Sequence, residues 1–313
     1  MVECYKTIEG RVAIVPEIGE GCWVNLVHPS SEELQRVTSA LQVEQDFIRA
    51  ALDPEESSRV EVEEDQILLI VDTPMVDSSA SASGGSQIFT TVPMGIIVTP
   101  QAVITVCLED TAVVRSIAEG NVKDVHTALK TRFVFQILMR VAGRFLKDLR
   151  LIERDFTRIE RRLYDSLKNE ELIQLLGLSK SLVYFSASLK GNEVTMEKVL
   201  RGRILKLYED DRDLLEDALI EIRQAIEMAG IYSNILSGTM DAYASVVSNN
   251  LNIIMKVLTV ITIIMAIPNM VFGFYGMNIQ NGLPFDLLWV APALIAILAC
   301  CAAWYLLNKK NLM

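Results

Sequence analysis

The chain has 313 residues, 51 % of them apolar, and its 40 acidic against 29 basic side chains give a formal charge of −11. That length admits two domains, or one domain and a membrane part. The acidic balance argues against a nucleic-acid partner, which needs clustered Lys and Arg.

The first fifteen residues, MVECYKTIEGRVAIV, carry a charge every few positions and lack the apolar core of a signal peptide, so residues 1–250 are expected in the cytoplasm. RVAIV and GCWVNLV read as strands. HPSSEELQRVTSAL opens with a capping box, in which the Ser30 side chain accepts from the amide three residues on and Glu33 reaches back. DQILLIVDTP, QIFTTVPMGIIVTP and AVITVCL read as further strands, bounded by Pro74, Pro93 and Pro100. The small, polar run DSSASASGGS (77–86) between two of them reads as an exposed hairpin loop. Residues 1–110 are thus expected to form a modest α/β domain.

No proline occurs between Pro100 and Pro268. Residues 111–250 place apolar side chains at steps of three and four with charges of both signs between them, as in RFLKDLRLIERDFTRIERRLYDSL, the pattern of long amphipathic helices packed on one another. The last is expected to begin near Glu197 and to run toward the first apolar segment; Gly202, Gly230 and Gly238 weaken it by only about 1 kcal/mol each. Within it Asp213, Asp217 and Glu221 recur every four residues, one step after Glu209, and share a face; such a run is ordinarily a solvated helix face.

Two apolar segments close the chain. No charge occurs from 257 to 285 or from 287 to 308, and Asp286 alone separates them. Each supplies the roughly 20 apolar residues that a helix needs to cross a bilayer. They predict a first span at 251–274, a short loop at 275–286 and a second span at 287–308, leaving a basic end at 309–313. Lys256, Lys309 and Lys310 flank the spans and the loop has no Lys or Arg, which puts both termini in the cytoplasm and the loop outside. The expected location is the cell's inner (plasma) membrane, crossed twice.

The five cysteines form no C-x-x-C pair and the two histidines, His28 and His126, are far apart in sequence, so neither a disulfide framework nor a histidine metal site is indicated. No phosphate-cradling glycine loop, nucleophile elbow or paired-histidine motif occurs. The chain does not read as an enzyme, and no covalent cofactor is implied.

Polar groups inside a span are expensive and face protein or water. In the first span Asn252, Thr259, Thr262, Ala266, Asn269 and Gly273 follow one another at steps of seven, three, four, three and four, a stripe about 100° wide. Periodicity alone leaves open whether this stripe glues helices together or lines a water-filled path.

Tyr275-Gly276-Met277-Asn278, directly after the first of two final spans, resembles the Gly-Met-Asn signature of the CorA family of divalent-cation channels, to which ZntB-like zinc transporters also belong. MKVLT (255–259), DAYASVVSNN (241–250) and WVNLVHPSSEEL resemble the family's stalk, pore entry and N-terminal domain, so the resemblance covers nearly the whole chain. It implies an α+β cytoplasmic domain, long stalk helices and two C-terminal transmembrane helices, assembled as a funnel-shaped homopentamer in which five first spans line one pore. The implied pore face is Asn252, Met255, Leu258, Thr262, Ala266, Asn269 and Gly273, with Asn278 as a selectivity ring at the outer mouth supported by Tyr275 and Gly276. Mg²⁺ gives up its water reluctantly, and neutral carboxamide oxygens can hold the hydrated ion without trapping it. Met255 and Leu258 would form an apolar constriction that closes by dewetting.

Mg²⁺ is the implied cargo, with Co²⁺ or Ni²⁺ as companions. Many magnesium-transporting members carry an acidic residue in the outer loop, whereas this loop, IQNGLPFD, has only Asp286, so a ZntB-like Zn²⁺ transporter is the alternative. A membrane-anchored structural or signalling coiled coil is the alternative of another class. The resemblance also places Asp217 where such channels share a regulatory Mg²⁺ with a neighbouring subunit, and Asp213 and Glu221 lie on its face; Glu63, Glu64, Asp65 and Asp72 are candidate partners.

Overall fold

The computed structural model describes residues 1–77, 87–166, 169–202, 204–205, 208–276 and 287–309. The chain divides into two units, Met1–Gly238 and Thr239–Met313.

The first unit is built on a seven-stranded sheet in the order β2-β1-β3-β7-β6-β5-β4. Its strands are β1 (Val2–Ile8), β2 (Arg11–Ile14), β3 (Trp23–Val27), β4 (Arg59–Glu63), β5 (Gln66–Val76), β6 (Phe89–Val98) and β7 (Val103–Cys107). Only β3 and β7 pair in parallel; the other five pairings are antiparallel. Helices α1 (Ser31–Leu41) and α2 (Gln45–Ala51) cover one face of the sheet. The expected capping box starts α1: the Glu33 amide donates to Ser30 Oγ at 3.3 Å and the Ser30 amide to Glu33 Oε2 at 2.8 Å.

Strand period two sorts the side chains between the faces. Val24, Leu26, Leu68, Ile70, Ile104 and Val106 point to α1 and α2, where Phe47, Ile48 and Ala51 close the cluster. On the opposite face Trp23 stacks on Tyr5 (4.7 Å between centroids) and meets Phe133 of α4 (Lys130–Ser166) edge-on at 5.4 Å. Phe89 packs on Phe185 of α5 (Asn169–Gly202) at 5.8 Å, and Phe145 of α4 meets Phe185 at 5.1 Å. Both faces are dry, which is why β5 and β7 read as unbroken apolar runs and not as alternation. The close approach of α2 requires a glycine in β6: a Cβ on Gly95 would lie 2.3 Å from that of Ala51.

Pro74 and Pro93 do not bound strands; they lie inside β5 and β6, paired with Thr91 and Asp72. Each stands beyond the last residue that the next strand pairs, since β4 ends opposite Ile70 and β7 opposite Met94. A proline costs no ladder bond there. At Asp72, where β4 has run out, Asn192 of α5 takes the strand's place: the Asp72 amide donates to Asn192 Oδ1 (2.8 Å) and Asn192 Nδ2 donates to the Asp72 carbonyl (2.9 Å). The expected hairpin loop at 77–86 lies, but for Asp77, outside the described residues.

The helix expected from about Glu197 is instead two. Helix α5 closes at Gly202, and α6 (Glu209–Gly276) opens with Glu209, Asp210 and Asp211 in its first turn, where the helix dipole favours carboxylates. Its part within the first unit is tied to α4 and α5: Tyr232 donates to Glu153 (2.8 Å), and Arg223 bonds Glu193 (2.8 Å) and Glu197 (2.5 Å). A short α3 (Ala112–Ala118), capped by the Thr111 hydroxyl, precedes α4. Among the described residues three helices are long and apolar enough to cross a membrane, α5 among them. In α5, however, 39 % of the most apolar stretch is buried inside the protein, against 6 % in α6 and 11 % in α7 (Leu287–Lys309).

Asp148 of α4 is wholly buried, with Oδ2 accepting from Arg144 Nε at 2.8 Å and Oδ1 without a partner among the described residues. Burial pushes its carboxyl up to about 6, against the pull of Arg144. With the folded value above the unfolded one, ionisation opposes folding: the group's contribution is whole below about pH 4 and lost as pH rises through about 6, a swing of about 3 kcal/mol. Thermal melts of Asp148→Asn between about pH 4 and pH 7 are therefore expected to vary less with pH than the parent's; parallel profiles would contradict this.

Candidate ion pathway and regulatory carboxylates

The second unit holds the C-terminal part of α6 and all of α7. Polar stripe and packed face are on opposite sides of α6. Val260, Ile264, Ile267, Pro268 and Val271 are buried or half-buried, and they lie across the helix from Asn252, Met255, Leu258, Thr262, Ala266, Asn269 and Gly273. All seven of the latter are exposed in the single chain. Helix α7 contributes small side chains on its own less exposed face, with Ala296 buried and Ala293, Ala299, Cys300 and Ala303 half-buried. Small residues let membrane helices approach closely.

The hydroxyls of the stripe are satisfied within the helix: Thr259 Oγ1 donates to the Met255 carbonyl (2.7 Å) and Thr262 Oγ1 to the Leu258 carbonyl (2.8 Å). Asn252 and Asn269 have no such bond among the described residues. Two carboxamides on an uncovered face of an apolar helix need another protein surface or water, because hydrocarbon offers neither donor nor acceptor.

Pro268 sits inside α6 and has no amide hydrogen to give to the carbonyl of Ile264, four residues back. The Cys300 thiol of α7 donates to that oxygen at 3.7 Å. Sequence reading did not anticipate this contact; the proline signals the orphaned carbonyl, but nothing in the sequence says what meets it. Tyr275 and Gly276 form the end of α6, and Met277 and Asn278 lie outside the described residues, as do the rest of the loop through 286 and Lys310.

In the first unit, Asp213 and Asp217 are exposed and Glu221 is half-buried. Glu221 turns toward α4, where its Oε2 would be 3.4 Å from a Cβ on Gly143. It lies in a cavity of about 480 Å³ that Arg140, Arg144 and Lys147 also line. Burial raises its pKa and Asp217 adds to the rise, while Arg140 and Arg150 oppose it. Glu221 is thus partly neutralised by arginine. No group of three or more His, Cys, Asp or Glu side chains converges on a metal position among the described residues. Mg²⁺ demands near-octahedral oxygen ligation, so an ion at Asp213 and Asp217 would take its remaining ligands from water or another copy. Of the candidate partners, Glu63, Glu64 and Asp65 are exposed at the β4–β5 turn, while the Asp72 pKa is raised by burial, against the opposing pull of the Ser188 and Ser58 hydroxyls.

The family described as CorA-like Mg²⁺ transporter protein matches residues 19–310. A relative named cobalt/magnesium transport protein CorA, from Methanocaldococcus jannaschii, is 27 % identical over 265 residues, covering 82 % of this chain and 79 % of the relative. The complete structure of the CorA magnesium transporter from that organism superposes with a TM-score of 0.86 at 23 % identity, covering 100 % of this chain and 99 % of the other. The ZntB cytoplasmic domain from Vibrio parahaemolyticus shares the fold at a TM-score of 0.59 and 12 % identity, over 79 % of this chain and 98 % of the domain. The fold is therefore that of a full-length CorA chain, an α+β domain followed by long helices and two C-terminal membrane-span candidates, in a family of transporters and not of enzymes. By the match across nearly its whole length, the chain belongs to the CorA-like Mg²⁺ transporter family.

Proposed function

We propose that this chain is one subunit of a homopentameric Mg²⁺ channel of the inner membrane, with both termini in the cytoplasm and Co²⁺ or Ni²⁺ as further cargo. The observation that carries this reading is the uncovered stripe of α6: its seven exposed residues lie opposite the face that packs within the unit, and its two carboxamides have no side-chain hydrogen bond among the described residues. Five copies around one axis would turn that stripe into a water-filled path, with Met255 and Leu258 as the apolar constriction and the 251–274 and 287–308 segments as the spans. Asn278, with Tyr275, Gly276 and Met277, supplies the outer ring of carboxamides that holds the hydrated ion through its waters. The names of the relatives, which include cobalt and magnesium, support this cargo over zinc. The test is competition: Mg²⁺ flux into proteoliposomes should be inhibited by Co²⁺ and Ni²⁺, and flux of Zn²⁺ alone would replace the magnesium reading with the ZntB-like one.

Asp213 and Asp217, four residues apart on α6 and both exposed, form the regulatory pair in this reading, with Glu221 as a weaker neighbour. Cytoplasmic Mg²⁺ bridging them to an adjacent subunit would offset their repulsion and favour the closed arrangement, to the extent that the ion binds that arrangement more tightly. Asp217→Ala, alone or with Asp213→Ala, is expected to raise the internal Mg²⁺ needed for half-inhibition by about tenfold, the loss of one charged ligand. Superimposable inhibition curves for mutant and parent would remove Asp217 from the site.

A further inference from the structure

We propose that Cys300 is a positioning residue for the ion pathway: its thiol supplies the hydrogen bond that Pro268 denies to the Ile264 carbonyl, and so fixes the turn of α6 that carries Asn269. The reference to the pathway rests on reading α6 as its wall; the hydrogen bond itself does not.

Every interior carbonyl of an α-helix accepts from the amide four residues on, and at Ile264 that position is Pro268, which has no amide hydrogen. In a soluble helix water repairs the loss. In hydrocarbon it is not available, and span-breaking prolines are tolerated where a neighbouring helix or side chain repairs the carbonyl instead. Here the repair comes from α7. Cys300 Sγ lies 3.7 Å from the Ile264 oxygen, within reach of a sulfur hydrogen bond, and the alanines at 296, 299 and 303 on the same side of α7 carry no bulk that would hold the two helices apart. Thr259 and Thr262, the two threonines of the first span, back-bond to carbonyls of their own helix, so among the described residues Ile264 is where that span draws a donor from the second. Asn269 follows Pro268 directly. A turn left with a free carbonyl bends, and bending there re-aims the carboxamide of the exposed stripe. The adjacent Cys301 is exposed and makes no such contact, which provides an internal control.

The test is a mutant cycle on the full chain in detergent and in proteoliposomes. The thermal unfolding midpoint and Mg²⁺ flux are measured for the parent, Cys300→Ala, Cys300→Ser, Pro268→Ala, the double variant Pro268→Ala/Cys300→Ala and Cys301→Ala. Cys300→Ala is expected to lower the midpoint and to change flux about threefold, the fold-change equivalent of a typical hydrogen bond between membrane helices. Cys300→Ser keeps a donor and should restore both readouts, and Cys301→Ala should leave both unchanged. In the Pro268→Ala background the new alanine amide caps Ile264 within the helix, and Cys300→Ala should then have no further effect. An equal effect of Cys300→Ala in both backgrounds would assign Cys300 to packing alone and overturn the proposal, as would no effect in either. A parent without flux would refute the pathway part, while the midpoints still decide the hydrogen bond.

Discussion

Asn269→Leu is expected to reduce divalent-cation flux by about tenfold or more, equivalent to at least ~1.4 kcal/mol at the barrier, while the protein still assembles. Asn269 is exposed on the stripe of α6, across the helix from Ile264 and Val271, which pack within the unit. The substitution removes no packed side chain, so stability and oligomer size should be those of the parent. In the proposed pentamer the change is to the wall seen by a hydrated ion: five carboxamides that can bond to its waters would become five isobutyl groups, and apolar rings close pores by dewetting. Flux in proteoliposomes, beside size-exclusion chromatography of the same sample, checks it. An assembled Asn269→Leu protein conducting like the parent would place Asn269 off the path.

Trp23→Ala is expected to cost about 3–5 kcal/mol, a large share of the roughly 5–15 kcal/mol that holds a domain folded. Trp23 is fully buried at the middle of the sheet, stacked on Tyr5 and edge-on to Phe133, so its removal opens a cavity among β1, β3 and α4. Its indole Nε1 donates to Thr105 Oγ1 at 2.8 Å, and that hydroxyl donates on to Asn25 Oδ1 at 2.9 Å, a buried polar chain that loses its first member. Trp23→Phe keeps most of the volume and loses the bond, so about 1 kcal/mol is expected. Thermal melts of the two variants separate the terms. Equal losses for Ala and Phe would show that the hydrogen bond, and not the packing, dominates.

Elements governed by local rules were legible in the sequence. The α1 start follows from Ser30 and Glu33, and β5, β6 and β7 from their apolar runs. Strands β1 and β4 were not read, because at the sheet's flank their buried and exposed residues mix with charges, as in RVEVE. Pro74 and Pro93 misled because the cost of a strand proline depends on where the neighbouring strand stops, which is a tertiary fact. The break before Glu209 was hidden for a similar reason: glycine weakens a helix without ending it, and the decision falls to packing. In the membrane part, the periodicity defined a polar stripe on α6, but not which face the second helix would cover. That Cys300 would meet Ile264 depends on the placement of α7, and no spacing within one helix encodes it.

In the proposed channel, five copies of α6 enclose a path for hydrated Mg²⁺. This is tested most directly by Mg²⁺ entry into proteoliposomes holding the full chain, read by a trapped Mg²⁺-sensitive dye, for the parent and for Asn278→Ala. Dye response is expected with the parent and its loss with Asn278→Ala, both proteins being assembled. Parent vesicles admitting no more Mg²⁺ than empty ones, or an Asn278→Ala response equal to the parent's, would contradict it.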